Sequence, residues 1–111
     1  MRQGLVCYVY MLSCRGGRIY TGYTTNFFRR LQAHQLGKGG KFTRAFAPVR
    51  VLVCWKVANN PTLARQLEYY IKRLSRKKKL ILANEPKYIY QYFPDLVVRK
   101  DQVVVEPNTN L

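Results

Sequence analysis

The chain has 111 residues, 48% hydrophobic and 14% aromatic, with a formal net charge of +15 and a pI near 10.2. That length holds one domain with one modest core, the apolar content excludes a disordered chain, and no apolar run is long enough to span a membrane. Glu68 is the only carboxylate in the first 84 residues, which carry 17 of the 20 lysines and arginines, so the positive charge belongs to the body and not to a tail. Charge spread in this way points to nucleic acid and away from a membrane surface, where basic residues gather on one amphipathic helix or in a short run. A lone carboxylate in such a body is the natural candidate for a metal ligand, because a divalent cation beside phosphate needs a hard oxygen from the protein. Cys7, Cys14 and Cys54 form no CxxC pair. Their odd number suits free thiols in a reducing compartment, which leads us to expect no zinc, no structural disulfide, and a cytoplasmic or nuclear location rather than a secreted one.

In chain order, Leu5 to Ser13 is β-branched and aromatic, Arg15-Gly16-Gly17 has turn composition, and Arg18 to Thr24 resumes strand character. This describes a β-hairpin. The stretch to Cys14 superficially imitates a lipoprotein leader, but its two tyrosines and direct entry into a turn suit a hairpin better. Tyr10 and Tyr20 are equidistant from Arg15, so a hairpin centred there sets them opposite each other on one face. Thr25-Asn26 offers a cap for a helix to about Leu36, with Phe27, Phe28, Leu31 and Gln35 expected inward and Arg30 and His34 sharing another stripe. Gly37 to Lys41 is expected to be a flexible basic loop, followed by a short helical turn over Phe42 to Phe46 that Pro48 stops.

Val49 to Val57 has the composition of a third strand. Asn60-Pro61 then caps a helix whose Leu63, Leu67, Ile71 and Leu74 form one buried stripe, with Glu68 at its rim. Ser75 can cap a further helix, Arg76 to Ala83, whose basic first turn opposes the helix dipole and so argues for an anionic partner. Beyond Asn84 come Tyr88, Tyr90, Tyr92 and the run Val103-Val104-Val105 among polar residues, which we assign as a C-terminal extension over 85–111, an added strand or an interaction arm.

Tyr8-Val9-Tyr10, then Tyr20-Thr21-Gly22, then Arg30, His34 and Glu68, in the order hairpin, helix, strand, helix, resembles the GIY-YIG nuclease domain over residues 1–84. The likeness is greatest to short single-domain members and to the branch that cuts branched DNA. Ile19 to Asn26 with Arg29, Arg30 and His34 is its most specific part. The resemblance implies a small α/β (α+β) fold, a three-stranded antiparallel sheet flanked by helices, and a metal-dependent DNA endonuclease, structure-selective or weakly sequence-specific, in repair or recombination. It further implies that Glu68 holds one Mg²⁺ or Mn²⁺ ion and that Tyr10 and Tyr20 handle the attacking water. Arg30 would neutralise charge on the phosphate, and His34 would assist proton transfer or brace the phosphate. Where many relatives carry an asparagine about a dozen residues past the glutamate, this chain has Leu80, with Asn84 further on. Three scattered cysteines cannot build the zinc-binding domain of the branched-DNA enzymes, so substrate choice is expected to fall to the basic face, a second copy or a partner protein.

The chemistry allows those roles. A metal held by one carboxylate keeps most of its waters and can still clamp a phosphate. A phenol with a pKa near 10 is a poor base at neutral pH unless a cation lies close, and His34 competes for that role. Arg29, Lys38, Lys41, Arg44, Arg76, Lys77, Lys78 and Lys79 are the expected DNA-contacting cations. Each catalytic assignment has a plainer counterpart: Glu68 in an ion-pair cluster with Lys72 and Arg65, the tyrosines as an aromatic cross-strand pair, His34 as a cap, Arg30 as one more solvated arginine. The competing functions are a catalytically lapsed DNA-binding module on the same fold and a basic RNA-binding structural protein.

Overall fold

The computed structural model describes residues 6–97 and 101–106. Strands β1 (Val6–Cys14) and β2 (Arg18–Thr24) form an antiparallel hairpin around a three-residue 3-10 turn, Arg15–Gly17. Gly16 and Gly17 take φ of 75° and 69°, a left-handed conformation that a side chain would strain. The turn is therefore centred on Gly16 and not on Arg15, and Tyr10 pairs with Gly22 while Leu12 pairs with Tyr20. This corrects the expected register. A slip of two positions preserves the face, however, because side chains alternate with period two. The two tyrosines are diagonal neighbours, with ring centroids 6.1 Å apart.

Helix α1 (Phe27–Gln35) is capped by Asn26, whose Oδ1 accepts from Arg29 N at 3.2 Å. Its buried stripe is Phe27, Leu31 and His34, spaced i, i+4, i+7. Phe28, 56% exposed, and Gln35 lie outside that stripe, and His34 belongs to it rather than to a separate one. A short α2 (Lys41–Ala45) leads into β3 (Pro48–Ala58), antiparallel to β1. Helix α3 (Pro61–Lys72) starts on Asn60, whose side chain accepts from Leu63 N at 3.0 Å, with Pro61 in the first turn. Helix α4 (Arg76–Asn84) starts on Ser75, whose Oγ accepts from Lys78 N at 3.2 Å. A 3-10 turn (Pro86–Tyr88), α5 (Ile89–Tyr92) and β4 (Val103–Val105) complete the described chain.

The sheet has four strands in the order β2-β1-β3-β4, not three, with Val103, Val104 and Val105 paired antiparallel to Val57, Lys56 and Trp55. These valines, assigned from the sequence to an added strand or an interaction arm, form a fourth strand on the open edge of β3. Alternate residues of β1 serve two cores. Cys7, Val9 and Met11 pack with Trp55 and with Leu67, Ile71 and Leu82 of α3 and α4, joined by Ile89, Val97 and Val103 from beyond Asn84. Tyr10, Leu12 and Cys14 pack on the other face with Phe27, Leu31 and Cys54. All three cysteines are buried free thiols. No helix among the described residues is long and apolar enough to cross a membrane.

Candidate active site

Tyr10 stands on central strand β1, opposite a glycine of edge strand β2. Its ring lies across Gly22, where a Cβ would come within 2.5 Å of both Cζ and Oη. The phenol is thereby carried over β2 to α1, where Oη lies 2.8 Å from His34 Nε2. On its other side His34 Nδ1 lies 2.7 Å from Thr43 Oγ1 of α2. Both nitrogens of the buried imidazole are thus occupied within the protein, and a neutral ring serves as donor at one and acceptor at the other. Burial, aided by the charge of Arg30, pulls the His34 pKa down to about 4. At neutral pH the imidazole is uncharged.

Burial pushes the Tyr10 phenol up, with Tyr20 adding to the rise and the Arg30 guanidinium opposing it. Arg30, half-buried at the rim of α1, acts on both phenols; burial works against its charge, but Tyr10 and Tyr20 outweigh this and raise its pKa. Its Nη2 donates to Gly39 O at 2.5 Å. Tyr20 completes the group, with its ring 5.0 Å from the imidazole and 5.6 Å from Phe42, centroid to centroid.

The loop of residues 37–40 is fastened rather than flexible. Gly37 N donates to His34 O at 3.1 Å, Lys38 N donates to Ala33 O at 2.8 Å, and Gly39 takes the Arg30 bond. Gly39 is buried, and a Cβ there would collide with the His34 ring at Nδ1.

Glu68 lies on α3, across the sheet from these four residues. Its carboxylate is 24% exposed and pairs with Lys72 Nζ at 3.2 Å, one turn on. It acts on Tyr10 as the weakest of the influences on that phenol. Lys72 in turn lines a depression of about 240 Å³ with Tyr20, Thr21 and Phe42, so the ion-pair partner of Glu68 borders the same depression as Tyr20. The Thr21 hydroxyl is buried there with no hydrogen-bond partner among the described residues. Tyr10, Tyr20, Arg30 and His34 are therefore gathered together, and Glu68 is linked to them by its weak electrostatic influence on Tyr10 and through Lys72.

The depression continues, through shared Ile19, Phe42 and Lys79, into a larger one of about 390 Å³ between the hairpin turn and α4. Together they make a trough whose charged lining residues among those described are all cations, namely Arg18, Lys72, Arg76 and Lys79. Arg76 Nη1 donates to Gly17 O, tying α4 to the turn. Burial lowers the Lys79 pKa. The basic run of α4 is divided: Arg76 and Lys79 line the trough, whereas Lys78 places its ammonium 5.8 Å over the Tyr92 ring. Lys77, Arg29, Lys38, Lys41 and Arg44 are exposed. Sequence reasoning gave no role to Thr43, Gly39 and Arg18, and named Thr21 only within the Tyr20-Thr21-Gly22 motif. The glycines of the loop were a usable signal of close approach to a neighbour. Thr43, nine residues from its histidine, gave none.

The family model of the GIY-YIG catalytic domain matches residues 6–80, a span that includes all five candidate catalytic positions. The UPF0213 protein of Oceanobacillus iheyensis is 51% identical over 75 residues, covering 68% of this chain and 86% of that protein. That of Bacillus licheniformis is 49% identical over 74 residues, 65% of this chain and 73% of its own. That of Natronomonas pharaonis is 47% identical over 79 residues, 70% and 92% respectively. A solution NMR structure of a UPF0213 protein from Bacillus halodurans shares 43% identity over 71% of this chain and 83% of that one, with a TM-score of 0.45. Since the family model spans more than half of the sequence, the chain belongs to the GIY-YIG catalytic domain family, a nuclease fold.

Proposed function

We propose that the chain is a divalent-metal-dependent endonuclease that hydrolyses phosphodiester bonds in DNA, structure-selective or weakly sequence-specific, and works in repair or recombination. The observation that carries this reading is the bonded series Tyr10, His34, Thr43, with Arg30 beside both phenols and Tyr20 lining the adjoining cationic trough. Burial keeps the Tyr10 phenol protonated, so it does not act as a standing phenolate. It acts instead as a relay, accepting a proton from the attacking water as its own passes to the neutral His34 Nε2. Thr43 then holds the far side of the ring, which carries the positive charge that develops. Tyr20 orients the water. Arg30, held in place by Gly39 O, offers its fork to the phosphate oxygens as their charge grows.

Among the described residues, no group of three or more His, Cys, Asp or Glu side chains is placed to hold a metal. Glu68 is the carboxylate beside Lys72, Thr21 with its unpartnered hydroxyl lines the same depression as Lys72, and so sparse a donor set fits a magnesium or manganese ion that retains most of its water. Such an ion, when bound, polarises a phosphate oxygen and stabilises the leaving 3′ oxygen. Arg18, Lys72, Arg76 and Lys79 bind the flanking phosphates, and a second copy or a partner protein can add to substrate choice.

The test incubates the purified protein with labelled linear, nicked, flap and four-way DNA in Mg²⁺, Mn²⁺ or EDTA, alongside Glu68→Ala and Arg30→Ala. Cleavage is expected to vanish in EDTA and in Glu68→Ala while DNA binding persists, and Arg30→Ala is expected to slow turnover by on the order of a hundredfold. Cleavage that survives Glu68→Ala removes the carboxylate from the mechanism, and no cleavage of any substrate refutes the activity.

A further inference from the structure

We propose that the outward face of α3, together with α5 and the turn after it, is a stacking platform for single-stranded DNA; the choice of DNA rests on the function proposed above. Tyr69 and Tyr70 are 52% and 44% exposed on a helix whose leucines and isoleucine are all buried. They meet edge to face at 5.2 Å between centroids. The aromatic surface continues from Tyr70 to Phe93 at 6.2 Å and from Phe93 to Tyr92 at 6.3 Å. Each end carries a cation: the Arg73 guanidinium is 4.9 Å over the Tyr69 ring, and the Lys78 ammonium is 5.8 Å over the Tyr92 ring. Tyr70 stands between two surface depressions of about 330 and 270 Å³, one running along α3 beside Arg65 and the other bordered by Tyr92 and Phe93. Asp95 is the one carboxylate lining either of them among the described residues.

Packing the extension against α3 explains the half-buried Phe93 and Tyr92 but leaves two adjacent tyrosines half in water. Rings interleaved with cations match a polyanion whose π-faces are free, and only an unpaired strand offers both, since a duplex hides its base faces in its own stack. Position supports the same occupant. Tyr69 and Tyr70 follow Glu68 by about 100° and 200° of helical rotation, so the platform lies around the same helix from the carboxylate. An unpaired arm leaving the Glu68 side would reach Tyr69 first and wrap around the outward face of α3 to meet Tyr70. Tyr92 and Phe93 lie beyond the residues 6–80 matched by the family model, so half of the platform belongs to the added part of this chain.

The experiment titrates the full chain, in EDTA, into a single-stranded oligonucleotide containing 2-aminopurine, into a blunt duplex and into RNA of the same sequence. Stacking predicts quenched 2-aminopurine fluorescence and tighter binding to single-stranded DNA in Tyr70→Phe than in Tyr70→Ala, with a loss of about five- to hundredfold for the alanine. Duplex affinity should barely change, and Arg73→Ala should lower the salt slope by about 0.7. Tyr70→Ala removes a surface ring, and Phe93→Ala, checked by circular dichroism for folding, provides the second arm. Unchanged single-strand affinity in folded Tyr70→Ala and Phe93→Ala, equal losses on duplex, or tighter binding to RNA overturns the proposal. Glu68→Ala must still bind the single strand, so loss of cleavage and loss of the platform are read separately.

Discussion

Gly22 lacks a side chain where Tyr10 lays its phenol: a Cβ there would stand 2.5 Å from Cζ and Oη of that ring and 2.8 Å from Cε2 of Tyr20. The φ of Gly22 is not positive, so the requirement is for room alone. Gly22→Ala should therefore displace the Tyr10 ring, break its bond to His34 Nε2 and cost about 1–3 kcal/mol of stability. Urea denaturation measures the loss, and the ¹⁵N shifts of the imidazole report the broken bond. Unmoved shifts with wild-type cleavage would refute the steric account.

Thr43 is the residue with the least sequence signal and a clear expected effect. Thr43→Val keeps the shape but leaves a buried imidazole nitrogen unpaired, at about 1–3 kcal/mol. Thr43→Ser restores the hydroxyl and should recover both stability and turnover. Equal behaviour of the valine and serine variants in denaturation and cleavage would show that the hydroxyl is idle.

The depressed His34 pKa sets a pH window. The unfolded histidine titrates near 6.5 and the folded one at about 4, so between those values the unfolded chain holds the extra proton. Stability should rise with pH from about 4 to about 6.5 and level off above, by on the order of 2–3 kcal/mol from this residue. Denaturation curves of wild type and His34→Gln across that range isolate the contribution, because glutamine does not titrate. An identical pH slope in the two proteins would contradict it. The cleavage profile should likewise show no limb near 6.5 from His34.

Val103 tests whether the segment beyond Asn84 holds the fold. It is 1% exposed in the larger core and pairs with Val57, so Val103→Ala should cost about 2 kcal/mol. Val104→Ala, on the exposed face of the same strand, should cost little. Equal, negligible effects in both would mean that β4 contributes nothing to the stability of the domain.

The local elements were legible because their signals are local. Asn60-Pro61, Ser75 and Asn26 each mark a helix start by side-chain chemistry, and Leu63, Leu67 and Ile71 show one period. The hairpin register failed because turn geometry, set by two left-handed glycines, decides the centre, and symmetry of the letters does not. On α1 the expected inward set included Phe28, whose hydrophobicity is spent on the edge of Phe27 at 5.5 Å while the polar His34 takes the core position. A buried histidine looks like an error of pattern until its two partners, Tyr10 and Thr43, are known. Both come from other elements, and only the tertiary fold brings them to it.

Under the function proposed above, the ion pair between Lys72 and Glu68 bears on the order of events on DNA. With an ammonium already 3.2 Å from the carboxylate, an incoming phosphate chain would meet no bare carboxylate along the trough among the described residues. Seating on the polyanion and recruiting an ion to Glu68 would then be separate acts, because the second requires Lys72 to let go of the carboxylate.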